Sequence, residues 1–300
     1  MRWTILVYHN VSWEDSPFTR GIGGMTCPPD VFRDHLQVLQ RLGEIVGVQE
    51  GIERLREGGR GRLFTLWFDD GLTGVRRYAF PILQSMGIRA CVSVCSRFSQ
   101  KRELYWRFKL SYLRFTGGIP RLRSRLRAFG YKGHRSVKDF MLDHFSPALL
   151  DVLDEVFRAV GNGEALQAGL QLFESPEGLA ELHRAGWSVG NHSAAHWPLG
   201  EDSAIDYFEE HYEECERFLK DILNEASPFA VLPFDRATRR SDRLFDTFEK
   251  WNEKNGGDRY LVLLGNRSNR SNGAFERRIL YRFTAPVGDG KTLKRAIRML

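Results

Sequence analysis

The chain has 300 residues, 42% of them apolar, and a formal charge of +6, enough to bury a sizeable core in one or two domains. Four cysteines, at 27, 91, 95 and 215, form no CxxC pair, which excludes a disulfide framework and a structural zinc site and predicts free thiols in a reducing compartment. No stretch approaches the roughly 18 consecutive apolar residues of a membrane span, and the four-residue run TILV is too short for a signal-peptide core, so a cytoplasmic protein is expected.

The first predicted strand is TILVYH (4–9), followed by a helix over 28–43 with Val31, Leu36, Leu39 and Leu42 at helical spacing and Gly43 as its stop. LFTLWF (63–68) is a second buried strand, 75–87 a helix ending at Gly87, and 88–94 a third strand. Residues 101–174 interrupt this rhythm and read as a mainly helical insertion. The pattern resumes with a helix over 175–186, where Ser175 can cap and Pro176 sits in the first turn. Strand 187–191, an acidic helix near 202–225, strand 228–234, a helix near 240–254 and strand 259–264 complete it. Only 265–273 looks like a low-complexity loop. Strands alternating with helices predict a parallel sheet, and their number a distorted or incomplete (β/α) barrel spanning 1–300 with the insertion inside it.

Charge is unevenly spread. Residues 101–138 hold twelve Lys and Arg against the single acid Glu103, a net +11, leaving about −5 for the rest of the chain. With its tyrosines, phenylalanines and Trp106, this segment suits an anionic membrane surface or a phosphorylated substrate, or else a solvated insertion whose aromatics pack on the body. The acidic remainder argues against nucleic acid as a partner.

Catalytic side chains of such barrels stand at the C-terminal ends of strands. Three predicted strand ends carry candidates: His9, then Asp69 and Asp70 in FDDG, then Asn191 and His192, with His196 four residues on. Adjacent carboxylates raise each other's pKa, a cost relieved if a cation takes one of them. If the chain after 191 turns helically, His192 and His196 share a face, and two imidazoles with one carboxylate make a three-ligand site open to water and substrate.

Taken together, YHNV, FDDG, LAELHRAGWSVGNHSAAHWPL and the later LPF resemble the polysaccharide deacetylases, carbohydrate esterase family four, over about 1–100 and 175–264. The resemblance implies a metal-dependent hydrolase on a distorted (β/α) barrel that removes an N-acetyl, sometimes N-formyl, group from an amino sugar. It makes Asp70, His192 and His196 ligands of a divalent ion, zinc first with cobalt, nickel or manganese as alternatives, and Asp69 the general base. The family's usual acid is a histidine near the C-terminus, yet this chain has none after His211. His9 is the expected substitute, with a structural role in the pocket wall as the alternative. The family's Arg-x-Pro-Tyr-Gly segment reads Val231-Leu232-Pro233-Phe234-Asp235 here, which leaves the brace of the base to Arg236 or Arg278. Pro233 and Phe234 are expected to line the acetyl pocket, and Trp197 either to stack on a sugar face or to pack. Lacking an export signal, the chain is expected to act on an intracellular glycan, glycolipid, nucleotide-sugar or glycoside intermediate, in the cytoplasm or at the inner membrane face. The competing readings are a saccharide-binding relative that kept the metal without the acid, and a deformylase or other amide hydrolase.

Overall fold

The computed structural model describes residues 2–299 apart from 15, 23, 59, 236–240 and 266–277. Its strands are β1 (Arg2–Tyr8), β2 (Asn10–Val11), β3 (Thr26–Cys27), β4 (Glu44–Ile45), β5 (Arg62–Phe68), β6 (Cys91–Val94), β7 (Ser188–Asn191), β8 (Phe229–Val231), β9 (Tyr260–Leu264) and β10 (Ile279–Thr284). Seven of them close into a parallel barrel in the order β1, β5, β6, β7, β8, β9, β10, with β10 returning to β1. β1 pairs with β5 along its whole length, Arg2 opposite Arg62 through Tyr8 opposite Phe68. On the other edge of β5, the short β4 pairs at Leu63 and Phe64, and β6 takes over at Trp67 and Phe68. The barrel is therefore irregular at that seam, as the expectation of a distorted barrel requires.

Strand side chains alternate between two faces, and here both faces are apolar because a parallel barrel is buried inside and out. Trp3, Ile5 and Val7 of β1, Leu63 and Trp67 of β5, Cys91 of β6, Phe229 and Val231 of β8, Val262 of β9 and Leu280 of β10 form one cluster, the barrel interior. The intervening residues, among them Leu6, Tyr8, Phe64, Leu66 and Phe68, form a second cluster under the outer helices. The interior indoles keep their N–H groups satisfied: Trp3 donates to Thr65 Oγ1 at 3.0 Å and Trp67 to Ser93 Oγ at 3.2 Å. At about 150–250 Å² of buried surface each, they contribute on the order of 4 kcal/mol apiece. Gly190 completes the packing, since a Cβ there would meet Val231, Ser93 and Trp67 at 3.1–3.3 Å.

The outer layer is built from α1 (Pro29–Leu42), α2 (Val48–Arg56), α3 (Phe80–Ser85), α4 (Ser96–Ser99), α5 (Trp106–Phe115), α6 (Ile119–Leu126), α7 (Val137–Asp143), α8 (Pro147–Leu170), α9 (Pro176–Arg184), α10 (Phe208–Leu223), α11 (Asp242–Lys254) and α12 (Gly290–Met299). The predicted helix over 75–87 begins as a π-helical turn, Val75–Ala79, before α3. Pro81 gives the reason: it has no N–H to return to Arg77, and the widened turn absorbs the missing bond. Helices α5 to α8 fill the stretch between β6 and β7, with Trp106, Phe108, Phe140 and Phe157 buried in one cluster with residues of α10, α11, β8 and β9, while Phe115 is exposed. The sequence pattern ended at 259–264; the structure adds β10 and α12 beyond it, and β4 and α2 near the start. No helix among the described residues is long and apolar enough to cross a membrane.

Candidate metal centre

The alternation that fills the barrel also aims its rim. Continuing each inward-facing series by one step gives Trp3, Ile5, Val7, then His9; Leu63, Thr65, Trp67, then Asp69; Cys91, then Ser93; Gly190, then His192; Leu280, then Arg282. His9, Asp69, His192 and Arg282 meet above the apolar interior, at the strands' C-terminal end, around a cavity of about 260 Å³, and Ser93 bonds to Asp69 from outside its lining. Asp70 falls out of phase and reaches the same place because its backbone is left-handed, φ 72°. Gly71 follows at φ 66°, where a Cβ would also stand 2.9 Å from Val94; this is why the carboxylate pair is followed by glycine.

The two carboxylates have different surroundings. Asp69 Oδ1 accepts from Arg282 Nη1 at 2.7 Å and from Ser93 Oγ, which in turn accepts from Trp67. The Arg282 guanidinium lies 5.0 Å over the Trp67 ring and is only 1% exposed. Burial pushes the Asp69 carboxyl up, but the Arg282 charge, joined by His192 and His9 where these are protonated, outweighs it and holds the group well below the usual carboxylate range. Asp70 has no such brace. Both its oxygens are buried without an aligned hydrogen-bond donor, while Oδ1 lies 3.1 Å from His196 Nε2 and 3.6 Å from His192 Nε2. Burial again opposes ionisation, and the neighbouring histidines, His196 foremost, overcome it.

His192 Nδ1 stands 2.9 Å from the Val231 carbonyl, a bond that assigns the proton to Nδ1 and leaves the Nε2 lone pair facing Asp70. Burial pulls its pKa from 6.5 to about 4, so the ring is neutral at pH 7, the form a metal ligand needs. The two imidazoles stand 4.6 Å apart at 88°. Their loop is a tight turn where helical geometry was expected, because Ser193 and His196 take left-handed φ of 71° and 53°. Asn191 Oδ1 accepts from Ser193 N, and Ser193 Oγ from His196 N, so side chains stand in for helical backbone bonds. Tyr105 and Phe234 press on the His196 ring at 4.7 and 4.5 Å.

Ligand atoms of Asp70, His192 and His196 lie within 4.8 Å of one another, the one such group of three among the described residues. Two buried imidazoles, that of His192 with its Nε2 lone pair free, and a carboxylate with no aligned donor fit a divalent cation: it would satisfy the Asp70 oxygens, whose burial is otherwise costly. His9 is half-buried in the same cavity wall, with Nδ1 lacking a partner.

Other expected residues fall differently. Phe234 lines the cavity beside Leu232, whereas Pro233 is buried behind it. Trp197, 8% exposed, does not face the cavity; it packs among Phe145, Tyr207 and His211 at 4.3–5.1 Å, so of its two readings the structure takes packing. Arg278 precedes β10 and so sits at the opposite end of the barrel from Asp69, bonded to the Asp258 carbonyl; Arg236 lies outside the described residues. Arg282 holds Asp69 instead. Its signal was an arginine two places after Leu280 in the apolar run ILYRFT, in phase with the barrel interior.

The polysaccharide deacetylase family model matches residues 57–246, more than half the chain and including both motifs of the site. No curated protein matches. Among solved structures, the Streptococcus pyogenes deacetylase PplD in complex with acetate is 15% identical with a TM-score of 0.62, over 99% of this chain and 98% of that one. IcaB from Ammonifex degensii is 16% identical at 0.60, over 99% and 97%. A de-N-acetylase from Aggregatibacter actinomycetemcomitans is 12% identical at 0.60, over 99% and 100%. At such identities these neighbours speak for the fold, a (β/α) barrel, while the family model carries the assignment. The chain belongs to the polysaccharide deacetylase family.

Proposed function

We propose that the chain is a metal-dependent N-deacetylase of amino-sugar substrates, with Asp70, His192 and His196 holding the ion, Asp69 as general base and His9 as general acid. The observation that carries this reading is the unequal treatment of two neighbouring carboxylates: Asp69 is braced by Arg282 and Ser93, while Asp70 sits bare between two imidazoles. A divalent ion, zinc first and cobalt, nickel or manganese as alternatives, would supply Lewis acidity toward the acetyl carbonyl and lower the pKa of a water molecule.

Asp69 keeps its proton off at neutral pH because Arg282 stabilises the charged form, and its second oxygen, 3.9 Å from His192 Nε2, faces the cluster. There it removes the proton of the attacking water. His9, on the neighbouring strand, gives a proton to the departing sugar nitrogen. Leu232 and Phe234 make the apolar wall against which an acetyl methyl packs. The filled barrel floor of Trp3, Trp67 and Val231 keeps bulk water from entering below, which strengthens each charge interaction above it. The four free cysteines support a reducing compartment.

Acetate release from a panel of N-acetylated amino sugars, with zinc, cobalt, nickel and manganese in turn, tests the proposal. Turnover that disappears in His196→Ala is expected. Stoichiometric metal with no turnover on any sugar would favour the saccharide-binding reading, and formate release from N-formyl sugars alone would favour the deformylase.

A further inference from the structure

The basic segment divides into two kinds of cation. Lys109 pairs with Asp154, Arg125 with Glu155, Arg135 with Asp143 and Arg102 with Glu214, while the Lys101 ammonium is held by the carbonyls of Leu170 and Phe173. Those charges are consumed in holding the helices together. Arg107 and Arg114 have no ion-pair partner among the described residues, and Arg114 makes only a 3.5 Å contact to the Gly21 carbonyl. Seven residues apart on α5, they stand two turns along one face. Lys138, at the start of α7, joins them; its carboxylate neighbour is the adjacent Asp139 at 3.3 Å.

These three cations line a second cavity, about 330 Å³, with no carboxylate in its lining; the hydroxyls of Ser111 and Ser136 beside it already donate to the Pro17 carbonyl and the Asp139 carboxylate, so the cations carry the site. Arg107 and Lys138 line the metal cavity as well, so the two spaces share a wall. The Arg107 guanidinium lies 5.6 Å over the ring of Phe234, which also packs on His196. A ligand that spanned the two spaces would lie along Arg107 and Lys138. Guanidinium groups match phosphate oxygens in a bidentate fork, and partly desolvated ones hold phosphate more strongly than solvated ones do.

We propose that this second cavity is a phosphate subsite: the sugar enters as a glycosyl phosphate or pyrophosphate whose anionic group is held by Arg107, Arg114 and Lys138. The inference rests on the deacetylase reading for the sugar and on the cavity alone for the phosphate. A nucleotide sugar and a lipid-linked saccharide offer the same group, and the test separates them.

Acetate release by the zinc-loaded chain is compared for a neutral N-acetylhexosamine, its 1-phosphate, its uridine diphosphate form and a polyprenyl pyrophosphate form in detergent. The phosphorylated forms are expected to be preferred over the neutral sugar at least 10-fold in catalytic efficiency. Arg107→Gln/Arg114→Gln should abolish that preference, and whichever of the last two substrates is fastest names the source. Equal efficiency on neutral and phosphorylated sugars, or a preference that survives both replacements, would overturn the proposal. Calorimetric titration with inorganic pyrophosphate gives a readout independent of turnover, in the double variant and in the exposed single variant Arg114→Gln, which keeps the folding contacts of α5. Affinity should fall at least 10-fold in the double variant. Unchanged affinity, as for pyrophosphate held by the metal alone, would sink the subsite. If no sugar releases acetate while pyrophosphate still binds through the arginines, the deacetylase reading fails and the subsite stands.

Discussion

Replacing Arg282 by methionine keeps the unbranched apolar stem of the side chain and removes its charged head, leaving Asp69 at 4% exposure with Ser93 as its remaining neutral donor. Removing one partner of a buried ion pair costs about 3–5 kcal/mol. Ser93 and the nearby histidines soften the loss, so about 3 kcal/mol is expected, a fall in Tm of roughly 5 °C for a chain this long. The sign of the pH effect follows from the same pair. The folded Asp69 carboxyl is held below its unfolded value, so its contribution to stability is full above about pH 4 and is lost as acid protonates it. In Arg282→Met that contribution shrinks, and the acid limb of the rate profile moves up by about one unit or more as the base becomes easier to protonate. Denaturant unfolding of Arg282→Met, Asp69→Asn and the double variant measures the coupling directly, and at least about 1.5 kcal/mol is expected because the double variant strands neither charge. A single-variant loss under about 0.5 kcal/mol, with no coupling and an unmoved acid limb, would refute the brace.

His9→Ala is expected to keep its metal and lose roughly 100-fold or more in kcat, the usual worth of acid catalysis; metal analysis beside steady-state rates checks both halves, and near-normal turnover would remove His9 from the mechanism. Burial lowers His211 from 6.5 to about 3, so between those values the unfolded imidazole binds a proton that the folded one does not. Stability falls as pH drops through that window. His211→Phe should flatten the curve by about 1.4 kcal/mol per pH unit, read from unfolding midpoints between about pH 6 and 4.

Much of the site was legible because barrel geometry maps strand ends onto one rim. His9, Asp69 and His192 each extend an inward-facing apolar series by one step, and the i,i+4 spacing of the two histidines held even though their loop is a turn and not a helix. Arg282 was harder to see. A charged residue inside an apolar run reads as an outward position unless the run's phase is known, and that phase follows from β1 and β9 on either side of β10. Trp197 misled for the opposite reason: its place directly after His196 suggested the cavity, but the left-handed backbone at His196 sends the next residue into the helical layer. The role of the 101–138 charge could not be read from counting, since four of its cations are paired to carboxylates brought close only by the fold.

The most direct test is anomalous scattering at the zinc edge from crystals grown with zinc. One peak is predicted among Asp70, His192 and His196, with bonds of about 2.0–2.2 Å to a carboxylate oxygen and the two Nε2 atoms. Zinc bound elsewhere with those three side chains left unligated would contradict the account at its root.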